Sequence, residues 1–374
     1  MERPSGYQYI KILDDWMQKN NTSMFSTKMV YPRQLEIHLP SNKKIACDFK
    51  CYYCQGSALD MSLGLDEEKC LELLEDVGPN KFEYYVLGGA YTEPLLNPYL
   101  FRFLKLAKKN KAFFGIHTNG SQLKILEEKR SFCTQTVGIM EAKDYISVSL
   151  DAGSPESHMK TKSIKYNVWD DIIEGLKILT KLRDKNSNKP QIRVAYLLNK
   201  WNSSEEELSN FINIAKDLNV DSLRFSIPYA QYGKNIDEVK HYKNKIESKL
   251  HIKYSNILSK YCSINSGEKP FIFYFAPINQ DVDRMLEDNY KQCAYTYYQI
   301  TIGADGNVYR CSSIASPTFD YVDINKALDY AAEDALITLK LYNLLNNRIK
   351  NEKSNFVYSE IDLPLIDVLS SIEK

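Results

Sequence analysis

Three cysteines within one short segment, Cys47, Cys51 and Cys54, are the residues in this sequence best suited to chemistry. Their spacings of four and three residues are too tight for a disulfide framework and too short for a two-pair zinc site. Three thiolates from one loop suit a 4Fe–4S cluster, in which three irons each bind one cysteine and the fourth iron stays open. An iron with an open position can bind a small molecule and pass an electron to it.

The same thiols could instead bind zinc or be buried as apolar groups. A structural zinc ion takes four ligands, and no fourth Cys or His lies close to these three in the sequence. The spacing therefore favours the cluster. Two other cysteines, Cys70 on a predicted helix face and Cys133, are expected to be small buried residues.

The composition is that of a soluble globular protein. The chain has 374 residues, of which 44% are hydrophobic and 26% charged, enough to bury a sizeable core. Its 48 basic and 48 acidic residues cancel, so no overall field favours nucleic acid or an anionic membrane. No signal-peptide pattern opens the chain and no apolar run approaches about 18 residues, so we expect a cytoplasmic protein without a membrane segment.

Strand and helix patterns alternate from residue 34 onward. Amphipathic helices are predicted at 66–77, 98–109 and 168–182, and another opens at 203 with a capping-box pattern. The predicted strands between and around them are 34–39, 84–87, 112–117, 145–150, 191–198 and 222–226. This alternation predicts a parallel sheet with right-handed crossovers.

The residues of chemical interest follow the predicted strands. The cysteine loop comes after the first strand, Gly88-Gly89 after the second, Thr118-Asn119 after the third and Asp151 after the fourth. Functional sites of parallel α/β folds lie at the carboxyl ends of the strands. We therefore expect these four segments to share one site.

The pattern Cys-x3-Cys-x-Tyr-Cys after a first strand resembles the radical S-adenosylmethionine (SAM) superfamily over roughly residues 34–228. The resemblance implies an α/β fold, a partial (β/α)6 TIM-like barrel. It also implies that Cys47, Cys51 and Cys54 hold a 4Fe–4S cluster whose open iron binds SAM. Cleavage of SAM by the reduced cluster gives a 5′-deoxyadenosyl radical, which abstracts hydrogen from a substrate. Tyr53 matches the aromatic position near adenine.

The segment from Gly88 to Leu95 is similar to the family's Gly-Gly-Glu-Pro motif, with residues 90–92 inserted before Glu93. The resemblance implies that Gly88, Gly89 and Glu93 receive the methionine end of SAM. Glycines permit the close backbone approach, and a carboxylate can accept from the amino group. Without the cysteines, two glycines after a strand are an ordinary turn.

Further polar residues occupy positions at which the family contacts ribose or substrate, although polar strand ends are common in any protein. Arg193 and Tyr196 on the fifth strand could hydrogen-bond the SAM carboxylate or the substrate, whereas His117 is expected to be a packed histidine. The strand-end residues are Thr118, Asn119, Ser149 and Asp151. No residue is assigned a catalytic role in hydrogen transfer.

After about residue 230 the pattern changes, which predicts a barrel domain over 1–232 and an extension over 233–374. The extension should contain a small hairpin, 298–302 and 307–310 around Ala304-Asp305-Gly306, and helices near 237–260 and 324–349. Cys293 and Cys311 frame that hairpin in a way that resembles the opening of a SPASM/twitch extension. No cysteine follows Cys311, which excludes an intact SPASM domain. With Cys262 as a third candidate, one auxiliary cluster and none both stay open.

The function expected from this resemblance is that of a radical SAM enzyme acting on a peptide or carbohydrate-like substrate, with a flavodoxin or ferredoxin as reductant. An iron–sulfur electron-transfer protein on the same barrel, without SAM cleavage, is the alternative from another class. A radical enzyme that modifies nucleic acid is a second alternative, in which Lys243, Lys245 and Lys249 would bind RNA. A solvated helix face explains those lysines more simply.

Overall fold

The computed structural model describes residues 15, 17–19, 31–41, 45–51, 53–54, 64–89, 92–226, 271–275, 298–309, 312 and 315. The chain divides into two compact units, 1–319 and 320–374. All described residues belong to the first unit. The helices predicted near 237–260 and 324–349 lie outside them, as do Cys262, Cys293 and Cys311.

The described strands form one sheet in the order β7-β6-β5-β4-β3-β2-β1-β8-β9, with β7 and β9 at its open edges. All neighbours are parallel except β8 and β9. The strands are β1 (Gln34–His38), β2 (Tyr84–Gly88), β3 (Phe113–Thr118), β4 (Tyr145–Ser149), β5 (Gln191–Leu197), β6 (Ser222–Ser226), β7 (Phe271–Phe275), β8 (Gln299–Ile302) and β9 (Val308–Tyr309).

Helices connect β1 through β6, as parallel crossovers require. They are α1 (Glu67–Val77), α2 (Leu100–Lys109), α3 (Leu123–Arg130), α4 (Phe132–Ile139), α5 (Pro155–Lys162), α6 (Trp169–Lys185) and α7 (Glu205–Asp217). Local sequence fixes several starts. The side chains of Asp66, Ser154 and Ser204 accept from the backbone N–H three residues on, which caps α1, α5 and α7.

The two faces of the sheet differ in chemistry. One face carries Ile37, Leu87, Ile116, Val194 and their neighbours, which are buried in a core that the helices cover. Alternate residues point to the opposite side of a strand. That side, called the polar face here, carries the polar and charged members of the alternation: Glu36, His38, His117, Ser147, Ser149, Arg193, Arg224 and Thr301.

The predicted α/β fold and its six parallel strands are confirmed, with bounds that shift by at most two residues. The predicted hairpin is present as β8 and β9, and Gly306 supplies the positive φ of its turn, 84°. Its first strand pairs in parallel with β1, and β7 extends the sheet beyond β6. Strands from both sides of residue 232 thus belong to one sheet. The domain boundary itself stays a prediction.

No described helix is both long and apolar enough to span a bilayer.

Candidate active site

The cysteine loop leaves the carboxyl end of β1 and is tied to two neighbouring loops. Cys47, Cys51 and Cys54 are each partly exposed. The Cys54 N–H donates to the Cys51 carbonyl at 2.9 Å, which closes a turn between the second and third cysteine. The Ala46 carbonyl accepts from the Glu93 N–H at 3.0 Å, and the Lys50 N–H donates to the Lys162 carbonyl at 3.2 Å. The loop is therefore fixed against the segments that follow β2 and β4.

Donors approach the sulfur of Cys47. The Phe49 N–H lies 3.4 Å from Cys47 Sγ, and Asn119 Nδ2 lies 3.7 Å from it. Donors of this kind stabilise a thiolate ligated to iron. Burial raises the pKa of the Cys47 and Cys51 thiols, so metal binding must displace their protons.

The three cysteines fit a cluster better than a single ion. Among the described side chains, no three His, Cys, Asp or Glu residues are placed to hold one metal ion. A 4Fe–4S cluster binds each cysteine through a different iron, so its ligands stand farther apart than those of one ion. Three thiols on one partly exposed loop, with N–H donors at one sulfur, are the donor set that such a cluster takes.

Glu93 joins the loops after β1, β2 and β3. It is buried, and its Oε1 accepts from the Thr118 hydroxyl at 2.6 Å and the Leu95 N–H at 3.0 Å. Its Oε2 accepts from the Asn119 N–H at 2.7 Å. Burial raises the pKa of Glu93 to about 7, although the three donors oppose that shift. Both oxygens have protein donors, so Glu93 has the contacts of an anchor for these loops.

The two glycines let the end of β2 pass close to its neighbours. A Cβ on Gly88 would lie 2.8 Å from the Cβ of His117. Gly89 has a φ of +146°, and a Cβ there would lie 2.9 Å from the His38 ring. The Thr92 hydroxyl donates to the Gly88 carbonyl at 2.8 Å and closes the turn. Larger residues do not fit at either glycine.

A second carboxylate, Asp48, links the cysteine loop to the end of β3. Its Oδ1 accepts from Asn119 Nδ2 at 2.7 Å, and its Oδ2 accepts from the Ser121 hydroxyl at 2.7 Å. Asn119 thus contacts Asp48 and lies beside Cys47 Sγ. The structure brings the predicted Thr118-Asn119 pair to the cysteines, and the pair does so by binding two carboxylates.

A buried charged group connects the end of β4 to Tyr53. Lys162, at the last position of α5, forms an ion pair with Asp151 at 2.5 Å, and the two side chains are 1% and 0% exposed. The Tyr53 hydroxyl donates to Asp151 Oδ2 at 2.6 Å. Asp151 Oδ1 accepts from the Leu197 N–H at 2.7 Å. Sequence reasoning found Tyr53 and Asp151 but missed Lys162, because a lysine at a helix end carries no sequence signal of burial.

This pair sets the electrostatics beside the cysteines. Burial lowers the pKa of Lys162, but the charge of Asp151, the hydrogen bond to Asp151 and the charges of Cys51 and Cys47 together outweigh burial, so the pKa of Lys162 is raised and it stays charged. The ammonium in turn opposes the effect of burial on the Cys51 thiol. A positive charge that acts on Cys47 and Cys51 would offset part of the repulsion between their thiolates.

Below the cysteine loop, the ring of His158 on α5 packs edge-on against Phe49 and Trp169, with centroid distances of 5.9 and 5.6 Å. The side chain is fully buried, and neither ring nitrogen has a hydrogen-bond partner among the residues described. Burial lowers the pKa of His158 to about 3, so the ring is neutral at physiological pH.

The fifth-strand candidates lie on opposite faces. Tyr196 belongs to the helix-covered core, where its ring packs against Phe211 at 4.4 Å and its hydroxyl donates to the Asn202 carbonyl at 2.7 Å. The suggestion that Tyr196 binds SAM or substrate is therefore wrong. Tyr196 and Arg193 are three positions apart on the strand, and successive strand residues alternate between the two sides, so their side chains point to opposite faces. Arg193 lies on the polar face, as does Ser149 at the end of β4.

Comparisons with known proteins agree with this geometry. Residues 44–211 match the family model of the radical SAM superfamily. This match identifies a radical SAM domain in a little under half of the chain.

Among solved structures, Streptococcus suis SuiB bound to its precursor peptide SuiA is similar at a TM-score of 0.52 and 15% identity, over 83% of this chain and 65% of that one. That likeness concerns the fold. The peptide-bound and AdoMet-bound anSMEcpe has a TM-score of 0.43 and 16% identity, over 78% of this chain and 75% of that one. The chain spans about two thirds of the SuiB chain.

A curated protein, DNA polymerase I of Rhizobium leguminosarum, is 44% identical over 62 residues. The match covers 17% of this chain and 6% of that protein. A segment of this size carries no argument about activity.

Proposed function

We propose that this protein holds a 4Fe–4S cluster on Cys47, Cys51 and Cys54 and cleaves SAM to start radical chemistry on a peptide. One observation supports this more than any other. The cysteine loop is hydrogen-bonded to the segments after β2, β3 and β4, so ligands and cofactor-binding candidates meet at one edge of the sheet. When bound, the cluster supplies the electron that cleaves SAM to methionine and a 5′-deoxyadenosyl radical.

The residues of the chain divide the remaining work. Gly88 and Gly89 leave backbone room for the methionine end of SAM, and Glu93 keeps that turn in place. Asp48 and Asn119 hold the cysteine loop against β3. Tyr53 offers an aromatic ring for adenine, with its hydroxyl fixed on Asp151. Ser149 on the polar face and Asp151 close the side of the pocket toward β4.

A peptide is the substrate class favoured here, because SuiB, which shares the fold, was solved with a precursor peptide. A carbohydrate-like substrate is the alternative within the same chemistry. A flavodoxin or ferredoxin would supply the electron.

The test uses the full chain, reconstituted anaerobically with iron and sulfide, reduced with dithionite and given SAM. We expect 5′-deoxyadenosine above the level of a Cys51→Ala variant. Cys133→Ala is the matched control, because Cys133 is buried under α3 and donates to the Leu123 carbonyl at 3.5 Å, away from the cysteine loop. It should keep wild-type yield. A reconstituted cluster without any SAM cleavage would instead favour the electron-transfer protein.

An auxiliary cluster on Cys262, Cys293 and Cys311 is a separate proposal. Iron and sulfide should be counted in a variant that carries alanine at Cys47, Cys51 and Cys54. About four irons per chain in that variant would support an auxiliary 4Fe–4S cluster, and none would mean that these thiols hold no cluster.

A further inference from the structure

Two arginines on the polar face have no carboxylate partner among the described residues. Arg193 lies on β5 and Arg224 on β6, and neither takes part in an ion pair there. By contrast, the buried Arg183 on the helix-covered side contacts both Asp184 and Asp221. A charged group that is largely removed from water normally has a partner of opposite charge. The polar face therefore has two guanidinium groups to which an anion can bind.

Arg193 is held in place by neutral groups. Its Nε donates to the Gln191 side-chain carbonyl at 3.0 Å. Its guanidinium carbon lies 4.0 Å from the centre of the Tyr145 ring, a cation–π contact. Tyr145 in turn lies across β3, where a Cβ on Gly115 would meet its ring at 2.2 Å. The guanidinium is oriented but not neutralised.

Arg224 has still fewer contacts. Its neighbours on the strand, Leu223 and Phe225, are fully buried on the helix-covered side, which directs Arg224 to the polar face. Its Nε is buried and has no hydrogen-bond partner in the part of the chain that the structure describes. The side chain as a whole is partly exposed, so a ligand can reach its remaining donors.

The two arginines act on the same space. Burial, then the charges of Arg224 and Arg193, lower the pKa of His117 on β3 to about 4, although Glu36 opposes them. Arg193 and Arg224 lie on neighbouring strands of the polar face.

The register places Arg224 toward the cysteine loop. Ser149 pairs with Ala195, and Ala195 pairs with Arg224, so the three lie at one level of the sheet. Ser149 is the last residue of β4, two positions before Asp151. Arg193 lies one level deeper, paired with Ser147 and Ser222. A group bound between the two arginines would lie beneath the proposed SAM site.

We propose that Arg224 and Arg193 bind a carboxylate of the substrate, such as an aspartate or glutamate side chain of a peptide. This rests on the proposed function, since it names the substrate feature that the same site selects. Guanidinium groups match the planar geometry of a carboxylate and form charge-assisted hydrogen bonds. The neutral supports Gln191 and Tyr145 orient Arg193 without competing for the anion.

The test uses the reconstituted full chain with SAM under anaerobic conditions and two capped tripeptides, acetyl-Gly-Glu-Gly-amide and acetyl-Gly-Gln-Gly-amide. Titration calorimetry should show about tenfold or greater preference for the glutamate peptide, the value of a charged hydrogen bond in a partly buried site. Arg224→Gln should remove the preference, Arg193→Gln should reduce it, and Arg224→Lys should keep part of it. Arg130→Gln, an exposed arginine on α3, should bind as wild type does.

Equal binding of the two peptides by the wild type would overturn the proposal, as would a preference that survives in Arg224→Gln. The methionine carboxylate of SAM is the other source of such a group, and SAM affinity is therefore measured in every variant. A loss of SAM binding in Arg224→Gln with intact peptide preference would assign the arginine to SAM and overturn the substrate assignment. If Arg224→Gln does not fold, Arg224→Lys and Arg193→Gln carry the comparison. Binding is read without turnover, so this proposal can hold even if no 5′-deoxyadenosine forms.

Discussion

The carboxylates at the carboxyl ends of the strands and the two arginines of the polar face, Arg193 and Arg224, differ in the partners that this fold gives them. Glu93, Asp48 and Asp151 each accept two or more hydrogen bonds from protein donors, and Asp151 also has the ammonium of Lys162. Arg193 has only an amide and an aromatic ring, and Arg224 has no polar contact among the described residues.

The carboxylates hold the loops of the site in place, whereas the arginines are available to bind a ligand. A carboxylate whose oxygens all accept hydrogen bonds from the protein cannot bind a substrate without losing one of those bonds, but it fixes the loops that donate them. An arginine without a partner costs stability in the absence of ligand and recovers it on binding. Four predictions test this contrast, beginning with the largest expected effect.

Asp151→Asn should destabilise the protein by about 3–5 kcal/mol, because it leaves the ammonium of Lys162 buried without an opposite charge. Urea denaturation at pH 7.5 gives the free energy of unfolding. Asp171→Asn is the control, since Asp171 pairs with Lys124 on an exposed surface and should change little. Adding Lys162→Met to Asp151→Asn should restore part of the loss. An unchanged midpoint in the single variant would show that Asp151 is not compensating a buried charge.

Gly115→Ala should cost up to about 3 kcal/mol, because the new Cβ would lie 2.2 Å from the Tyr145 ring that supports Arg193. Gly138→Ala on α4 is the matched control, since a Cβ there meets nothing within 4 Å. Alanine in that helix should be neutral or stabilising by up to about 1 kcal/mol. Equal effects of the two changes would mean that the Tyr145 ring is not held across β3.

His158 packs against the cysteine loop, and its ring nitrogens have no hydrogen-bond partner within the described ranges, so it should make the protein sensitive to acid. Its pKa is about 3 when folded, below the ordinary value of 6.5, so the unfolded chain binds more protons between these values. Stability is then complete above pH 6.5 and falls as the pH drops, by about 2 kcal/mol at pH 5.

A phenylalanine ring fits between Phe49 and Trp169, so His158→Phe should remove this decrease in the free energy of unfolding between pH 6.5 and pH 5. Urea denaturation of wild type and variant at pH 7.5 and pH 5 measures the difference. A profile of the same slope in both proteins would rule out His158 as the source.

Arg224→Met should have the smallest effect on stability, from no change to a gain of about 1 kcal/mol, since it removes a charge that has no partner among the described residues and keeps an apolar stem. Thermal and urea unfolding in the absence of substrate measure it. A loss comparable to that of Asp151→Asn would show that Arg224 is already compensated and would remove the contrast between the two regions.

Local pattern was sufficient for much of the fold. The alternation of Leu35 and Ile37 with polar residues, and the capping residues Asp66 and Ser204, predicted strands and helices that the structure confirms. The short helices α3, α4 and α5 were not predicted. For two of them the reason is visible in the sequence, since α3 is largely polar and α5 has no apolar stripe. The position of the hairpin was predicted, but its pairing with β1 was not, since strand order depends on contacts between distant segments.

The sequence alone determined the three cysteines of one loop and the glycines, threonine and aspartate that follow successive strands. A parallel sheet brings such residues to one edge whatever the details of packing, so spacing and strand order were enough. Only the tertiary structure decided which charges are satisfied. Glu93, Asp151 and Lys162 are neutralised or anchored by groups that lie 11 or more residues away in the chain, and Arg224 is not. The sequence shows a charge at each of these positions, but burial and the presence of a partner depend on the folded chain.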